Sequence, residues 1–280
     1  MSSLTLKQAL TLGIETLDEC ASASLDCEVL LADVLEKNRS YLRAWPEKLL
    51  SPTEHQRFFE LINLRQQGQP IAYLLGFREF WSRPFIVSSD VLIPRPDTEL
   101  LIEVIQQQFP PEQTLSILDM GTGSGAIAVT LALEFKNAQL TAIDASQAAL
   151  NIAQQNAQRL HATNIEFIHS NWFDNIKPQQ FDIIVSNPPY ICSDDPHLIE
   201  GDVRFEPSSA LISKRQGLED IERICSAARP FMKANGLLLF EHGYQQGNQL
   251  KNLLESSGFK SIQQFQDIQG HTRATLGQAS

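Results

Sequence analysis

Four cysteines in 280 residues, Cys20, Cys27, Cys192 and Cys225, form no C-x-x-C pair, and none lies near a histidine at metal-ligand spacing. Reduced thiols and no metal are expected. No apolar stretch approaches the length that spans a bilayer, and Met1-Ser2-Ser3-Leu4-Thr5-Leu6-Lys7 lacks a basic segment followed by a long apolar core. These absences point to a cytoplasmic chain without a membrane partner. Positive charge is scarce too, with 22 Lys and Arg against 33 Asp and Glu and a formal net charge of -11. A broad nucleic-acid-binding face needs clustered Lys and Arg, so direct nucleic-acid binding is not expected. Internal repeats and low-complexity tracts are missing as well.

What is present divides by rhythm. The chain is 42% hydrophobic, enough to bury a full core in one large domain with a smaller one beside it. From residue 5 to about 75 the apolar positions recur at helical spacing, as in Leu25, Val29, Leu30 and Phe58, Leu61, Ile62, and Ser51-Pro52 reads as a capped helix start. Phe77, Glu79, Trp81 and then Phe85, Val87 read as a hairpin. Leu100, Leu101, Val104 and Ile105 begin a helix that Asp97 or Thr98 would cap. Seven strands follow, at Leu115–Asp119, Leu140–Asp144, Ile165–Ile168, Phe181–Ser186, Gly236–Glu241, Ser261–Gln266 and Arg273–Leu276, with helices between most of them. The expected division is therefore a helical domain at 1–75, a hairpin linker at 76–95 and an α/β domain at 96–280. Alternation of this kind implies a mostly parallel sheet, with ligands bound at the carboxyl ends of its strands.

Those strand ends carry the chemistry. The first leads into Gly121-Thr122-Gly123-Ser124-Gly125, whose glycines let the backbone turn tightly beside a ligand at a helix N-terminus. Its spacing departs from the dinucleotide fingerprint G-x-G-x-x-G, and no G-K-[ST] of a P-loop follows. Asp144 closes the next strand and reads either as an acceptor for ribose hydroxyls or as a helix cap. Trp172 reads either as a platform for adenine or as a core ring. Asn187-Pro188-Pro189-Tyr190 ends the Phe181–Ser186 run and places an amide, two residues without N–H donors and an aromatic ring where a planar NH2 group could be held.

Together the glycine loop, Asp144 and Asn187-Pro188-Pro189-Tyr190 resemble the class I S-adenosylmethionine-dependent methyltransferases that modify exocyclic or amide nitrogens. Tyr73-Leu74-Leu75-Gly76, Ile93-Pro94-Arg95-Pro96-Asp97-Thr98-Glu99 and Phe205-Glu206-Pro207, in that order around them, are similar to the release factor glutamine methyltransferase (PrmC/HemK) family over essentially the whole chain. The resemblance implies an α/β, Rossmann-like fold with a seven-stranded mostly parallel sheet and a small all-helical N-terminal domain joined by a β-hairpin. It implies S-adenosyl-L-methionine as cofactor and class 1 peptide chain release factors as partners, methylated on the glutamine of their Gly-Gly-Gln motif. Carried over by position, Gly121, Thr122, Gly123, Ser124, Gly125, Asp144, Trp172 and Asn187 would bind the cofactor. Asn187, Pro188, Pro189 and Tyr190 would bind the substrate, with Asn187, Pro188 and Tyr190 catalytic and residues 1–75 docking the release factor. One departure is Asn171, which stands before Trp172 where many relatives carry Asp.

A glutamine nitrogen is a poor nucleophile, and the expected remedy is alignment. The Asn187 side-chain oxygen and the Pro188 carbonyl would accept its two N–H bonds, with the Tyr190 ring on the planar amide. Glu206 and Asp97 read either as substrate contacts or as a turn residue and a helix cap, and Arg95 as structural. The rival substrate is the NH2 of adenine in DNA or RNA, which the tetrapeptide would hold equally well. Charge opposes it, because residues 1–75 carry seven Lys or Arg against ten Asp or Glu. Lys37, Arg39, Arg43 and Lys48 cluster near Tyr41 and Trp45, and an ordinary solvated face is the favoured reading there. A non-catalytic module on the same fold would lose the loop glycines or Asn187, and both are present.

Overall fold

The computed structural model describes residues 4–280, which divide into two compact units. One runs to Phe77 and includes the later segment Ile199–Phe205; the other comprises Arg78–Leu198 and Glu206–Ser280. In the first, five helices pack together: α1 (Leu6–Thr16), α2 (Ala23–Val34), α3 (Arg39–Ala44), α4 (Pro52–Gln66) and α5 (Ile71–Leu75). Their starts are set by side chains that satisfy orphan N–H groups. Thr5 forms a capping box with Gln8, and Ser51 forms one with Glu54 ahead of Pro52. Leu6, Leu30, Leu31, Phe58, Leu61 and Ile62 form the core. On α2 the buried face is Asp26, Cys27, Leu30 and Leu31, so Leu25 falls off it and is 46% exposed. Asp26 tolerates that position because Arg65 on α4 donates to it at 2.7 Å. The same guanidinium reaches Asp202 at 2.8 Å, which ties the Ile199–Phe205 segment into this unit.

The second unit, from Arg78, starts inside a two-stranded hairpin, β1 (Phe77–Phe80) and β2 (Arg83–Ile86). Trp81 and Ser82 between them both take positive φ, 51° and 56°, as a two-residue hairpin turn requires. No Asn-Gly pair announces that turn; it is held from outside by Glu99, which accepts from the Trp81 N–H at 2.7 Å. Phe80 and Phe85 are buried in the core of this unit, so the hairpin packs with that core.

A seven-stranded sheet follows: β3 (Ser116–Met120), β4 (Gln139–Asp144), β5 (Ile165–His169), β6 (Phe181–Ser186), β7 (Met232–Glu241), β8 (Lys260–Gln266) and β9 (Thr272–Gln278). Its order is β5-β4-β3-β6-β7-β9-β8, with β9 antiparallel to both of its neighbours and the remaining pairs parallel. Side chains of one strand feed two cores. Ile117, Ile183, Val185 and Leu239 lie with α6 (Glu99–Gln108) and α7 (Ala126–Glu134), while Leu118, Ile184, Leu238 and Phe240 lie with α9 (Glu219–Ala227) and α10 (Gly247–Ser256). The helix α8 (Gln147–Arg159) adds Ala157 to the first of these. Continuous apolar strands such as β6 follow from burial on both faces. The order reverses at β3, so a crevice opens where the β3 and β6 carboxyl ends diverge.

The cysteines are free thiols. Burial pushes Cys27 and Cys225 up to about 12, which leaves them inert as nucleophiles. The helix before the sheet corrects one expectation. Thr98 does stand at its start, yet its side chain makes no capping bond, and Asp97 turns instead to Arg273 at 3.1 Å.

Candidate active site

A cavity of about 340 Å³ lies at the β3–β6 crevice, within the size range of small-molecule sites. Its floor is the turn after β3. Gly121, Gly123 and Gly125 take φ of 74°, 56° and 80°, a region closed to most side chains. The Gly121 and Thr122 N–H groups donate to the Ile143 carbonyl at 3.0 and 2.8 Å, which fastens the turn to β4. A Cβ on Gly125 would stand 3.0 Å from the Ala153 Cβ, whereas one on Gly123 would meet nothing within 4 Å. Gly125 therefore serves the packing of α8, and Gly123 leaves room for a ligand.

Two side chains that carried no separate reading in the sequence hold this turn. Asp119, fully buried at the end of β3, accepts from the Thr122 hydroxyl at 2.6 Å and the Ala128 N–H at 3.2 Å. Burial pushes its carboxyl up to about 7 against those two bonds. Asn156 on α8, also fully buried, donates to the carbonyls of Ser124 at 2.9 Å and Ile86 at 3.0 Å, and accepts from the Ile86 N–H at 2.7 Å. A polar residue at a helix position otherwise read as apolar is the signal that could have found it.

Asp144 lines the cavity at the end of β4 and accepts from the Gly123 N–H at 2.9 Å and the Ser146 N–H at 2.8 Å. It is not the cap of α8; Ser146 is, accepting from the Ala149 N–H at 3.2 Å. Burial raises the Asp144 carboxyl above its ordinary range. Each of its oxygens keeps a lone pair for a further donor.

Trp172 follows β5 with φ of 54°, a backbone choice that costs a bulky residue on the order of 1–3 kcal/mol. Its ring lines the cavity, 3.8 Å or less from where a Gly121 Cβ would stand, and its indole N–H donates to Asp220 at 3.2 Å. Asp220 is in turn held by the Ser213 hydroxyl at 2.6 Å. Asn171 lines the cavity as well, its side-chain oxygen accepting from Arg223 at 3.2 Å.

At the end of β6, Asn187 and Pro189 line the cavity, while Pro188 is buried behind them and, with Tyr190, stands outside the lining. The Asn187 side-chain NH2 donates to the Thr98 hydroxyl at 3.1 Å, so the atom it offers to a ligand is its carbonyl oxygen. The Tyr190 hydroxyl donates to Glu241 at 3.2 Å, and its main-chain carbonyl accepts from Gln246 at 3.1 Å. Burial and the nearby Glu241 raise the Tyr190 phenol well above its ordinary value, so it stays protonated. Opposite lie Leu92, Pro94 and Arg95 on one side and Pro207, Ser209 and Ala210 on the other. Arg95 pairs with Glu206, whose second oxygen accepts from the Ile93 N–H at 3.2 Å and whose side chain is wholly buried. Glu206 thus joins two cavity walls, and Asp97 does not line the cavity.

Comparison with known proteins matches two family models: the PrmC N-terminal domain over residues 8–76 and the methyltransferase small domain over 80–198. Proteins named release factor glutamine methyltransferase are similar over nearly the whole chain. That of Aliivibrio fischeri is 45% identical across 99% of this chain and 98% of its own length, and that of Vibrio cholerae 46% across 99% and 97%. The Escherichia coli K12 protein of the same name is 43% identical across 95% of each chain. Among solved structures, a methyltransferase from Pyrococcus furiosus superposes with a TM-score of 0.52 at 17% identity, covering 79% of this chain and 96% of that one. The T. thermophilus 16S rRNA N2 G1207 methyltransferase, in complex with AdoMet and guanosine, gives 0.53 at 18% identity over 73% and 50%. These structures share the fold.

Proposed function

Because the chain belongs to the release factor glutamine methyltransferase family, we propose that it transfers a methyl group from S-adenosyl-L-methionine to the side-chain N5 of the glutamine in the Gly-Gly-Gln motif of class 1 peptide chain release factors. The observation that carries this is the fixed amide of Asn187 at the mouth of the β3–β6 crevice. With its NH2 spent on Thr98, Asn187 presents an acceptor, which is what a substrate NH2 group needs.

The residues at the crevice fit the cofactor. Positive-φ glycines and the open space at Gly123 suit a bulky ligand against the backbone, Asp144 keeps acceptor capacity for ribose hydroxyls, and the Trp172 ring offers an apolar face for adenine. Thr122 and Ser124 complete the turn. When bound, S-adenosylmethionine supplies an electrophilic methyl on a sulfonium centre. The protein's part is alignment: the Asn187 carbonyl oxygen and the Pro188 carbonyl accept the two N–H bonds of the glutamine amide and aim its nitrogen. Positioning of this kind is worth roughly 7–11 kcal/mol in favourable intramolecular cases. Pro189 walls the amide, and the Tyr190 ring, anchored through its hydroxyl, limits its tilt. After transfer the nitrogen is strongly acidic, and its proton leaves through the acceptor that already holds it.

Partner and place follow from the same reading. The helical unit, residues 1–75 of it in particular, docks the release factor, and the acidic balance of that region supports a protein partner over a nucleic acid. Among the described residues no helix is long and apolar enough to cross a membrane, and the four free thiols suit a cytoplasmic site of action. The test is incubation of the purified chain with labelled S-adenosylmethionine, a class 1 release factor and a nucleic-acid pool, followed by mass spectrometry. Label on the Gly-Gly-Gln peptide is expected, and label confined to adenine would overturn the reading. Asn187→Ala should reduce transfer at least a hundredfold with the melting temperature unchanged.

A further inference from the structure

Behind Asn187 stand two buried side chains that the transfer as described does not use. Thr98 occupies the start of α6, where a threonine ordinarily caps the helix, but its side chain makes no capping bond. Its hydroxyl instead receives the Asn187 NH2 at 3.1 Å, in a site where Thr98 is 4% exposed. Glu241 ends β7, buried beyond Leu238, Leu239 and Phe240. One of its oxygens accepts from the Tyr190 hydroxyl at 3.2 Å; the other is buried without a well-formed hydrogen bond, although the Thr98 hydroxyl is near enough to favour its charged form. A local rule broken at α6 and a carboxyl sunk into an apolar sheet edge both act against stability. They converge on two residues of one tetrapeptide.

We propose that Thr98 and Glu241 are positioning residues for methyl transfer: Thr98 selects the orientation of the Asn187 amide that turns its oxygen to the substrate, and Glu241 anchors Tyr190 from behind. A primary amide is nearly symmetric in shape, so packing alone does not distinguish its two flips. The bond to the Thr98 oxygen does, because only the NH2 end can donate to it. In the opposite flip Asn187 would point a donor at a substrate donor, and the glutamine would lose an acceptor it needs.

This inference rests on the proposed function, and the test separates the two. The full chain is assayed with a release factor and S-adenosylmethionine as wild type, Thr98→Val, Thr98→Ser and Tyr190→Phe. For each, kcat, the KM for the release factor, cofactor Kd by calorimetry and the melting temperature are measured. Absence of glutamine methylation in the wild type would sink the functional reading itself. With the wild type active, T98V is expected to lower kcat about tenfold, the effect of removing one orienting hydrogen bond in a buried site, with KM and Kd within about twofold. T98S should recover most of that loss because it restores the oxygen. A wild-type kcat in T98V overturns the proposal, and so does a loss that T98S fails to recover, since packing would then be the cause. If T98V does not fold, Y190F carries the test by deleting the hydroxyl that donates to Glu241: a severalfold fall in kcat at unchanged Kd is expected, and a wild-type kcat overturns the proposal.

Discussion

Asp144 shows how a single side chain can be misread when only its place on a strand is known. Read as a strand-end acid it fits a ribose acceptor and a helix cap alike; in the fold Ser146 takes the cap, and Asp144 bonds back to the glycine turn. Asp144 lines the cavity, so Asp144→Ala should raise the calorimetric Kd for S-adenosylmethionine at least tenfold, about 1.4 kcal/mol or more. An unchanged Kd would remove Asp144 from the cofactor site. Trp172, an aromatic residue held at positive φ beside Gly121 and only half-buried, is oriented by Asp220, which fixes its indole. That Asp220 and Trp172 meet lies in the tertiary fold, since 48 positions of sequence separate them.

The strands were the most legible elements, because burial on both faces writes an apolar run with sharp ends: Phe181–Ser186 is read at its observed bounds. The β1–β2 turn was legible only as a hairpin, since Trp81 and Ser82 carry none of the usual turn residues and rely on Glu99 and Glu134. The cap of α6 was misassigned because capping is a local rule, whereas Thr98 answers to Asn187, 89 positions away. Asn156 shows what such distant bonds do for an element. It joins α8 to the hairpin at Ile86 and to the glycine turn at Ser124, so Asn156→Ala would take this partner from three backbone groups, one buried and two part-buried. A loss of about 3 kcal/mol in urea denaturation is expected. Asn156→Asp should cost more, because it sets a carboxylate oxygen against two carbonyls.

On the scale of the whole molecule, the buried acids set a pH dependence. Asp119 and Glu241 are both pushed up to about 7 by burial, and around Glu241 the Arg273 charge and the Tyr190 and Thr98 hydroxyls oppose that push while Asp97 adds to it. Unfolded, both carboxyls ionise near 4, so below that pH both states hold the proton and stability is at its full value. As pH rises from about 4 to the folded value of about 7, the unfolded state has released protons that the folded state keeps, and stability falls by on the order of 4 kcal/mol per group. Glu28 and Glu54, held low by Arg39 and by Ser51, act in the opposite sense at lower pH. Asp119→Asn should therefore flatten the decline in urea midpoint between about pH 4 and pH 7, and a profile parallel to wild type would contradict the assignment. The change from helical spacing to strand alternation near residue 75 carries no sign that Ile199–Phe205 returns to the helical unit, where Arg65, shared between Asp26 and Asp202, and Arg204, which donates to the Gln67 carbonyl at 3.1 Å, hold it. That shared arginine bears on synthesis. As the chain leaves the ribosome, the helices emerge first, yet Asp202 follows only after strands β3 to β6. The amino-terminal unit is thus completed from downstream, and a nascent chain halted before residue 202 holds Arg65 with one of its two carboxylate partners.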